Sequence, residues 1–169
     1  GSSQPALWVY GSLIAEGTAE EVITFTADDT TMGWGGIRFD GAESDSVSSI
    51  LHYCIVEFGN VYPEEEDEGR IDHPYFNGCG GGIFIYYYND LEISECLIWK
   101  NVAYYCGGGI YCVESDPLIT GNHIGLNAVY NDEFDAYSPG LGGGILLHNS
   151  DALVSGNYIA ENYASMMGG

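Results

Sequence analysis

Positive charge is scarce in this 169-residue sequence. Arg38, Arg70 and Lys100 are its only Lys or Arg residues, whereas Asp and Glu together number 25, so the formal net charge is −22 at pH 7. A surface of this sign repels phosphate groups and anionic lipid headgroups, and we expect no nucleic acid and no membrane surface as a partner. Divalent cations, neutral sugars and other proteins are compatible ligands.

Long apolar runs and a cysteine framework are also missing. No run of about 18 apolar residues occurs, so the sequence predicts no membrane-spanning helix and no membrane insertion. Five cysteines are an odd number, and their spacing fits neither a disulfide framework nor a zinc motif. With 46% hydrophobic residues and only five prolines, the chain is expected to form a packed domain.

Glycine is abundant by contrast, and it belongs to an internal repeat. The triplet 80–82 followed by Ile83 recurs at residues 107–110 and 142–145, with a weaker copy at 35–37. A second motif follows each triplet at a nearly constant distance and ends in Asn, at residues 96–101, 122–127 and 157–162, with a longer form at 54–60. Repeats of this kind indicate a solenoid in which each copy forms one rung.

The residues after each glycine triplet alternate between apolar and other side chains, as in Ile83-x-Ile85 and Ile145-x-Leu147, which is the periodicity of a β-strand. A repeat of about 27 residues has room for three short strands but not for helical crossovers. We therefore predict an all-β parallel solenoid of about five rungs, in which strands 83–85, 110–112 and 145–147 share one sheet. The closing Asn of each rung is expected to adopt a left-handed backbone and to bond to its copies in neighbouring rungs.

The Gly-Gly-Gly-Ile and Asn-x-Ile-x-x-Asn pattern resembles the repeats of the pectin-lyase-like superfamily and those of polymorphic outer membrane proteins and other autotransporter passengers. The opening segments 11–18, 22–28 and 34–37 are similar to the first rungs of secreted multidomain proteins of this kind. The resemblance implies a right-handed parallel β-helix and an extracellular or cell-surface location. Because no capping element is evident at residues 7–10 or 168–169, residues 1–169 are expected to be a single segment of a longer solenoid.

Differences in length between repeats are concentrated at one predicted corner, between the closing Asn and the next glycine triplet. Two acidic insertions, 61–79 and 128–141, flank the short connection 102–106 there. Loops two rungs apart emerge about 10 Å from each other, so the insertions are expected to form the lips of one cleft. Tyrosine rings beside carboxylates suit sugars, which have apolar faces and hydroxyl edges. The predicted ligand-binding residues are Tyr62, Tyr75, Tyr104, Tyr105, Tyr130 and Tyr137.

An alternative for this corner is purely structural, because long loops also pack their own tyrosines and carry acids for solubility. The pattern requires no cofactor, although Ca²⁺ could bind carboxylate oxygens in the insertions. The acidic run lacks the residue order of a dedicated calcium loop and also fits a solvated surface. The candidate metal ligands are Glu64, Glu66, Asp67, Asp132 and Glu133.

Catalysis has few candidates in this sequence. Paired carboxylates could hydrolyse a glycosidic bond, and a lyase would need a cationic base, for which the cations are few. The residues that we single out are Asp72, His73 and Asp135, all in the insertions. Arg38 is expected to point outward from its strand, aligned with Phe84, Tyr111 and Leu146, which are apolar positions unsuited to proton transfer.

Three functions are consistent with these features. The leading hypothesis is a secreted or cell-surface β-helix that binds a polysaccharide or a surface protein, or serves as a structural or adhesive module. The second is a polysaccharide lyase or glycoside hydrolase that uses the corner cleft. The third is a self-assembling filament or surface-layer component, because unpaired strand edges of the terminal rungs could associate end to end.

Aligning the rungs also stacks cysteines. Cys54 falls over Cys96 and Cys79 over Cys106, with Cα atoms about 4.8 Å apart, which is within disulfide range. In-register cysteines also stack as free thiols, and we favour thiols for both pairs. Cys112 shares an inward column with Ile85 and Leu147 and is expected to be inert.

Overall fold

The structure is a computed structural model, and it describes residues 4–41, 48–62, 78–130 and 140–169. These residues form 19 short β-strands in four parallel sheets. Within the described ranges there is no helix of the length and hydrophobicity needed to cross a membrane.

The strands of each sheet come from successive rungs of a coil. The first sheet contains β1 (Leu7–Val9), β4 (Ile37–Asp40), β8 (Ile83–Tyr86), β12 (Ile110–Val113) and β16 (Ile145–His148). The second contains β2 (Ile14–Glu16), β5 (Ser49–His52), β9 (Leu91–Ser94), β13 (Leu118–Thr120) and β17 (Leu153–Ser155). The third contains β3 (Ile23–Phe25), β6 (Cys54–Glu57), β10 (Leu97–Trp99), β14 (His123–Gly125) and β18 (Tyr158–Ala160). The fourth contains β7 (Asn60–Val61), β11 (Val102–Ala103), β15 (Ala128–Val129) and β19 (Tyr163–Ala164).

The predicted register of the first sheet is confirmed. Ile83 pairs with Ile110 and Ile110 with Ile145, all in parallel strands. The same pairing aligns Cys112 with Ile85 and Leu147, as the sequence predicted. Five rungs result, as predicted.

The number of strands in each rung differs from the prediction. Rungs two to five have four strands instead of three, because a two-residue strand of the fourth sheet follows each closing Asn or, in rung two, begins at Asn60. Two residues are too few to show alternation, so the pattern in the sequence did not reveal this sheet.

The core is one column of aliphatic side chains enclosed by the four sheets. Its members in the middle rungs are fully buried, and they include Ile37, Ile83, Ile93, Ile98, Ile110, Ile119 and Ile124. No single rung could bury these side chains alone, so stacking of rungs is what creates the core.

The glycine triplets allow adjacent rungs to approach closely. A Cβ atom at Gly81 would lie 2.4 Å from the carbonyl oxygen of Gly108, and one at Gly108 would lie 2.5 Å from that of Gly143. Any larger residue would therefore push neighbouring rungs apart.

The left-handed backbone predicted for the closing Asn belongs instead to the residue before it. Lys100, Leu126 and Glu161 have φ angles of 54°, 56° and 57° and precede Asn101, Asn127 and Asn162. The prediction was wrong by one residue, because the amide side chain must point along the solenoid axis and the bend is made one position earlier.

The predicted hydrogen bonds between closing Asn residues are present. The Asn101 side chain donates to Oδ1 of Asn127 at 3.0 Å, and Asn127 donates to Oδ1 of Asn162 at 3.0 Å. A second column joins Asn122 to Asn157 at 2.9 Å. Both columns lie inside the turns on either side of the third sheet.

The outer side of the first sheet carries a second buried cluster, which corrects one expectation. Arg38 aligns with Phe84, Tyr111 and Leu146 as predicted, but it is only 3% exposed. Its guanidinium donates to the carbonyl oxygen of Cys79 at 2.7 Å. The described residues packed on this outer face include Cys79, Cys106, Tyr105, Phe84, Tyr111 and Val113.

The insertions 61–79 and 128–141 begin in the fourth-sheet strands β7 and β15 and precede the first-sheet strands β8 and β16, as expected for one corner. Another corner also varies. Residues 41–48 join β4 to β5, whereas residues 87–90 make the equivalent connection in the next rung. The sequence analysis had placed all insertions at the first corner and missed this one, because rung two lacks a full glycine triplet from which to align it.

Candidate functional site

Tyrosines line the outer face of the fourth sheet. Tyr62, Tyr104 and Tyr130 follow the paired strands β7, β11 and β15 at equivalent positions, one in each of three successive rungs. Tyr163 lies in β19 opposite Ala128, two positions earlier in its rung than Tyr130 in the preceding one, and its ring contacts that of Tyr130. We call these four residues the tyrosine strip.

The rings of the strip form two close pairs. Tyr62 and Tyr104 have ring centroids 6.2 Å apart, and Tyr130 and Tyr163 have centroids 5.5 Å apart. Three of these side chains are more than half exposed, with Tyr62 at 53%, Tyr130 at 56% and Tyr163 at 52%. The strip covers four rungs, a length of roughly 14 Å.

Backbone hydrogen bonds fix the tyrosines to the preceding rung. The amide of Tyr130 donates to the carbonyl oxygen of Ala103 at 3.1 Å, and that of Tyr104 donates to Val61 at 3.1 Å. The Gly78 carbonyl also accepts bonds from Tyr104 and Tyr105. The strip is therefore held by sheet structure, although part of it was predicted to lie in connections.

Tyr105 contacts both the tyrosine strip and the second buried cluster. Its ring meets that of Tyr104 edge to face with centroids 5.0 Å apart, and it packs against the second buried cluster beside Phe84. It supports the strip from beneath and is partly buried.

The remaining predicted site residues are outside the described ranges. They are the ligand-binding candidates Tyr75 and Tyr137, the catalytic candidates Asp72, His73 and Asp135, and the metal candidates Glu64, Glu66, Asp67, Asp132 and Glu133. Among the residues that the structure describes, no three His, Cys, Asp or Glu side chains come together as a metal site.

A second aromatic group, which the sequence analysis did not single out, lies on the third sheet. The Trp99 indole donates to a carboxylate oxygen of Glu57 at 2.7 Å, and the Lys100 ammonium lies 3.8 Å from the centroid of the Trp99 ring. Thr26 donates to the other Glu57 oxygen at 3.1 Å. Since its oxygens accept these bonds, the Glu57 carboxylate orients the indole and is poorly placed to transfer protons.

A cluster of Ser94, His52 and Glu92 on the second sheet has the residue types of a hydrolytic site but not its geometry. Ser94 donates to Oε1 of Glu92 at 2.8 Å, and its oxygen lies 2.8 Å from Nδ1 of His52. The Ser94 hydroxyl therefore bridges the Glu92 carboxylate and the His52 ring. Ser94 is also only 5% exposed, so the cluster joins rungs without activating a nucleophile.

All five cysteines are free thiols, in agreement with the preference from the sequence. The backbones of Cys79 and Cys106 pair in an isolated parallel β-bridge, and their sulfur atoms are 3.1 Å apart. The Cys54 amide donates to the Cys96 sulfur at 3.4 Å. Cys112 is buried, and burial raises its pKa to about 11, which fits the predicted inertness.

One comparison with known proteins identifies the family. A family model described as a right-handed β-helix region matches residues 17–168. No curated protein and no solved structure matches the chain. The family match agrees with the stacked parallel sheets and gives the coil its hand, so this chain belongs to the right-handed β-helix family.

Proposed function

We propose that this β-helix binds a neutral polysaccharide along the tyrosine strip. The observation that carries the proposal is the outer side of the fourth sheet, which has a tyrosine ring in each of four successive rungs, three of them more than half exposed. An extended glycan running parallel to the solenoid axis would meet these rings in turn. Tyrosine suits this role because its ring faces the apolar side of a sugar and its hydroxyl bonds to the sugar's edge.

Charge narrows the ligand class. A chain with a net charge of −22 repels uronic acid polymers and sulfated glycans at moderate ionic strength. Neutral polymers escape this repulsion, so xylan, mannan and β-glucan are favoured over polygalacturonate and alginate. A protein partner remains the alternative within the same proposal, and an extracellular or cell-surface location would bring the chain to either ligand.

Isothermal titration with soluble oligosaccharides of each class tests the proposal. The double substitution Tyr130→Ala with Tyr163→Ala is expected to weaken binding at least about tenfold, since a stacked ring contributes roughly 1 kcal/mol. Both rings are more than half exposed, so the fold should tolerate their removal.

Tyr158→Ala provides the matched control, because Tyr158 is 64% exposed in the same rung but belongs to the third sheet. Its affinity should equal that of the unmodified chain. Equal losses in the control and the double variant, or tighter binding of acidic than neutral oligosaccharides, would contradict the proposal.

A further inference from the structure

We propose that Cys79 and Cys106 are a latent disulfide site that oxidation converts into a covalent link between two rungs. The proposal is independent of the ligand of the tyrosine strip. It rests on the contact between the two sulfur atoms, on the position of the pair in the turn, and on a contrast with the second cysteine pair.

The backbone geometry already suits a disulfide. Cys79 and Cys106 are direct partners in a parallel bridge, so their Cα atoms are separated by about one rung, roughly 4.8 Å, inside the range found for disulfides. The sulfur atoms are 3.1 Å apart, with one thiol donating to the other. Closing this gap to a bond of about 2.05 Å requires a movement of only about 1 Å.

The position of the pair lets the backbone make that adjustment. The Cys79–Cys106 bridge is isolated from the regular strands and directly precedes the glycine triplets. Gly80 and Gly107 have φ angles of 65° and 61°, in the region that glycine adopts without a side-chain penalty. A shift of the two cysteines therefore needs no rearrangement of β8 or β12.

The second pair is held differently, although its two thiols also contact each other. Both Cys54 and Cys96 direct their thiols to backbone carbonyl oxygens, at 3.4 Å to Ala15 and at 3.3 Å to Leu51 respectively. The pair also lies in the aliphatic core between regular strands. Linking its sulfurs would break these bonds within packed rungs, so oxidation should select Cys79 and Cys106.

The solvent exposure of the two cysteines indicates which thiol reacts first with an oxidant. Cys106 is 8% exposed and Cys79 only 2%, and contact with the Cys106 thiol together with burial raises the pKa of Cys79. The Cys106 thiolate attacks one sulfur of oxidised glutathione, forms a mixed disulfide and releases one glutathione thiolate. The Cys79 thiol then loses its proton and displaces the second glutathione. Two protein thiols are oxidised, and one disulfide is reduced to two glutathione molecules.

The disulfide would fix the end of the insertion 61–79 beside the tyrosine strip. Cys79 ends the long insertion 61–79, and Cys106 ends the connection that contains Tyr104 and Tyr105. The carbonyl oxygen of Gly78, next to Cys79, already accepts bonds from both tyrosine amides. A disulfide would tie the end of the insertion covalently to this part of the strip.

The test is incubation of the full 169-residue chain with a series of ratios of oxidised to reduced glutathione. Digestion without reduction and mass spectrometry should find a peptide pair linked through Cys79 and Cys106, with Cys54, Cys96 and Cys112 alkylated as free thiols. A link between Cys54 and Cys96, or five free thiols at the most oxidising ratio, would overturn the proposal.

Thermal unfolding supplies a second measurement that does not depend on the digest. The link closes a loop of about 27 residues, so the oxidised chain should unfold roughly 5–10 °C higher than the reduced chain, and dithiothreitol should reverse the shift. Cys96→Ser should keep the oxidation-dependent shift, and Cys106→Ser should abolish it. A shift that survives in Cys106→Ser, or that is absent from the unmodified chain, would refute the assignment.

Discussion

The side-chain amide of Asn127 joins three consecutive rungs. It accepts hydrogen bonds from the backbone and side chain of Asn101, and it donates to Asn162 and to the carbonyl oxygen of Ile98. The residue is only 1% exposed, so no water replaces these partners when the amide is removed.

Asn127→Ala is therefore expected to lower the free energy of unfolding by about 3 kcal/mol, measured by urea denaturation. The control is Asn89→Ala, because Asn89 is exposed and accepts a single bond, from the Asp116 amide at 3.1 Å. Its cost should stay below about 1 kcal/mol. Comparable losses for the two variants would show that the buried amide column does not stabilise the solenoid.

The ladder of Asn residues could be predicted from the sequence, but the bend before each one could not. Asn recurs at the end of every motif, and its amide is the side chain that can both donate and accept along a stack. The left-handed positions are occupied by Lys100, Leu126 and Glu161, residue types with no preference for that backbone. Only the pairing of the rungs forces the bend onto them.

At the scale of strands, the sequence predicted the fold wherever apolar and other side chains alternate over three or more residues. The first sheet was predicted with its register for this reason. The outward position of Arg38 was also correct, but its burial was not, because alternation distinguishes the two faces of a strand and says nothing about what packs on the outer one. The covering residues Cys79 and Tyr105 lie in turns far from Arg38 in sequence.

The core face of the last rung is exposed in the isolated 169-residue chain, and we expect two copies of the isolated chain to associate through it. Ile159 and Leu147 are 48% and 38% exposed, whereas their partners in the preceding rung, Ile124 and Cys112, are fully buried. Because both copies carry a net charge of −22, electrostatic repulsion opposes their contact, and association should require salt to screen this repulsion.

Sedimentation equilibrium at high salt should detect association that increases with concentration, and Ile159→Lys should abolish it by placing a charge on the open face. Leu153→Lys is the control, since Leu153 is 60% exposed in the same rung but aligns with Leu118 on the outer face of the second sheet. A monomer at every concentration, or an equal effect of both lysines, would exclude this mode of assembly.

For the molecule as a whole, we expect binding without turnover. Phe84 and Tyr111, which align with Arg38 on the outer face of the first sheet, are buried, and the Ser94 hydroxyl is only 5% exposed beside Glu92 and His52. Glycoside cleavage needs a positioned acid and base, or a cation beside the reacting carbon, and these elements rarely come from loops alone.

Assays for reducing ends and for unsaturated products on pectin, alginate, xylan and glycosaminoglycans, with and without Ca²⁺, should therefore show no turnover. Activity on any of them that disappears when Asp72, His73 or Asp135 is replaced by Ala would establish the enzyme hypothesis instead.

Because each rung from the second to the fifth contributes one tyrosine to the strip, the number of rungs sets the length of the row of rings. Each added rung lengthens the aromatic row by about 4.8 Å and contributes one more contact to a ligand that lies along it. The number of tyrosine contacts, more than the strength of any single one, would then determine the affinity for a glycan. A change in the number of rungs would alter the preferred chain length of the ligand while leaving every individual subsite unchanged.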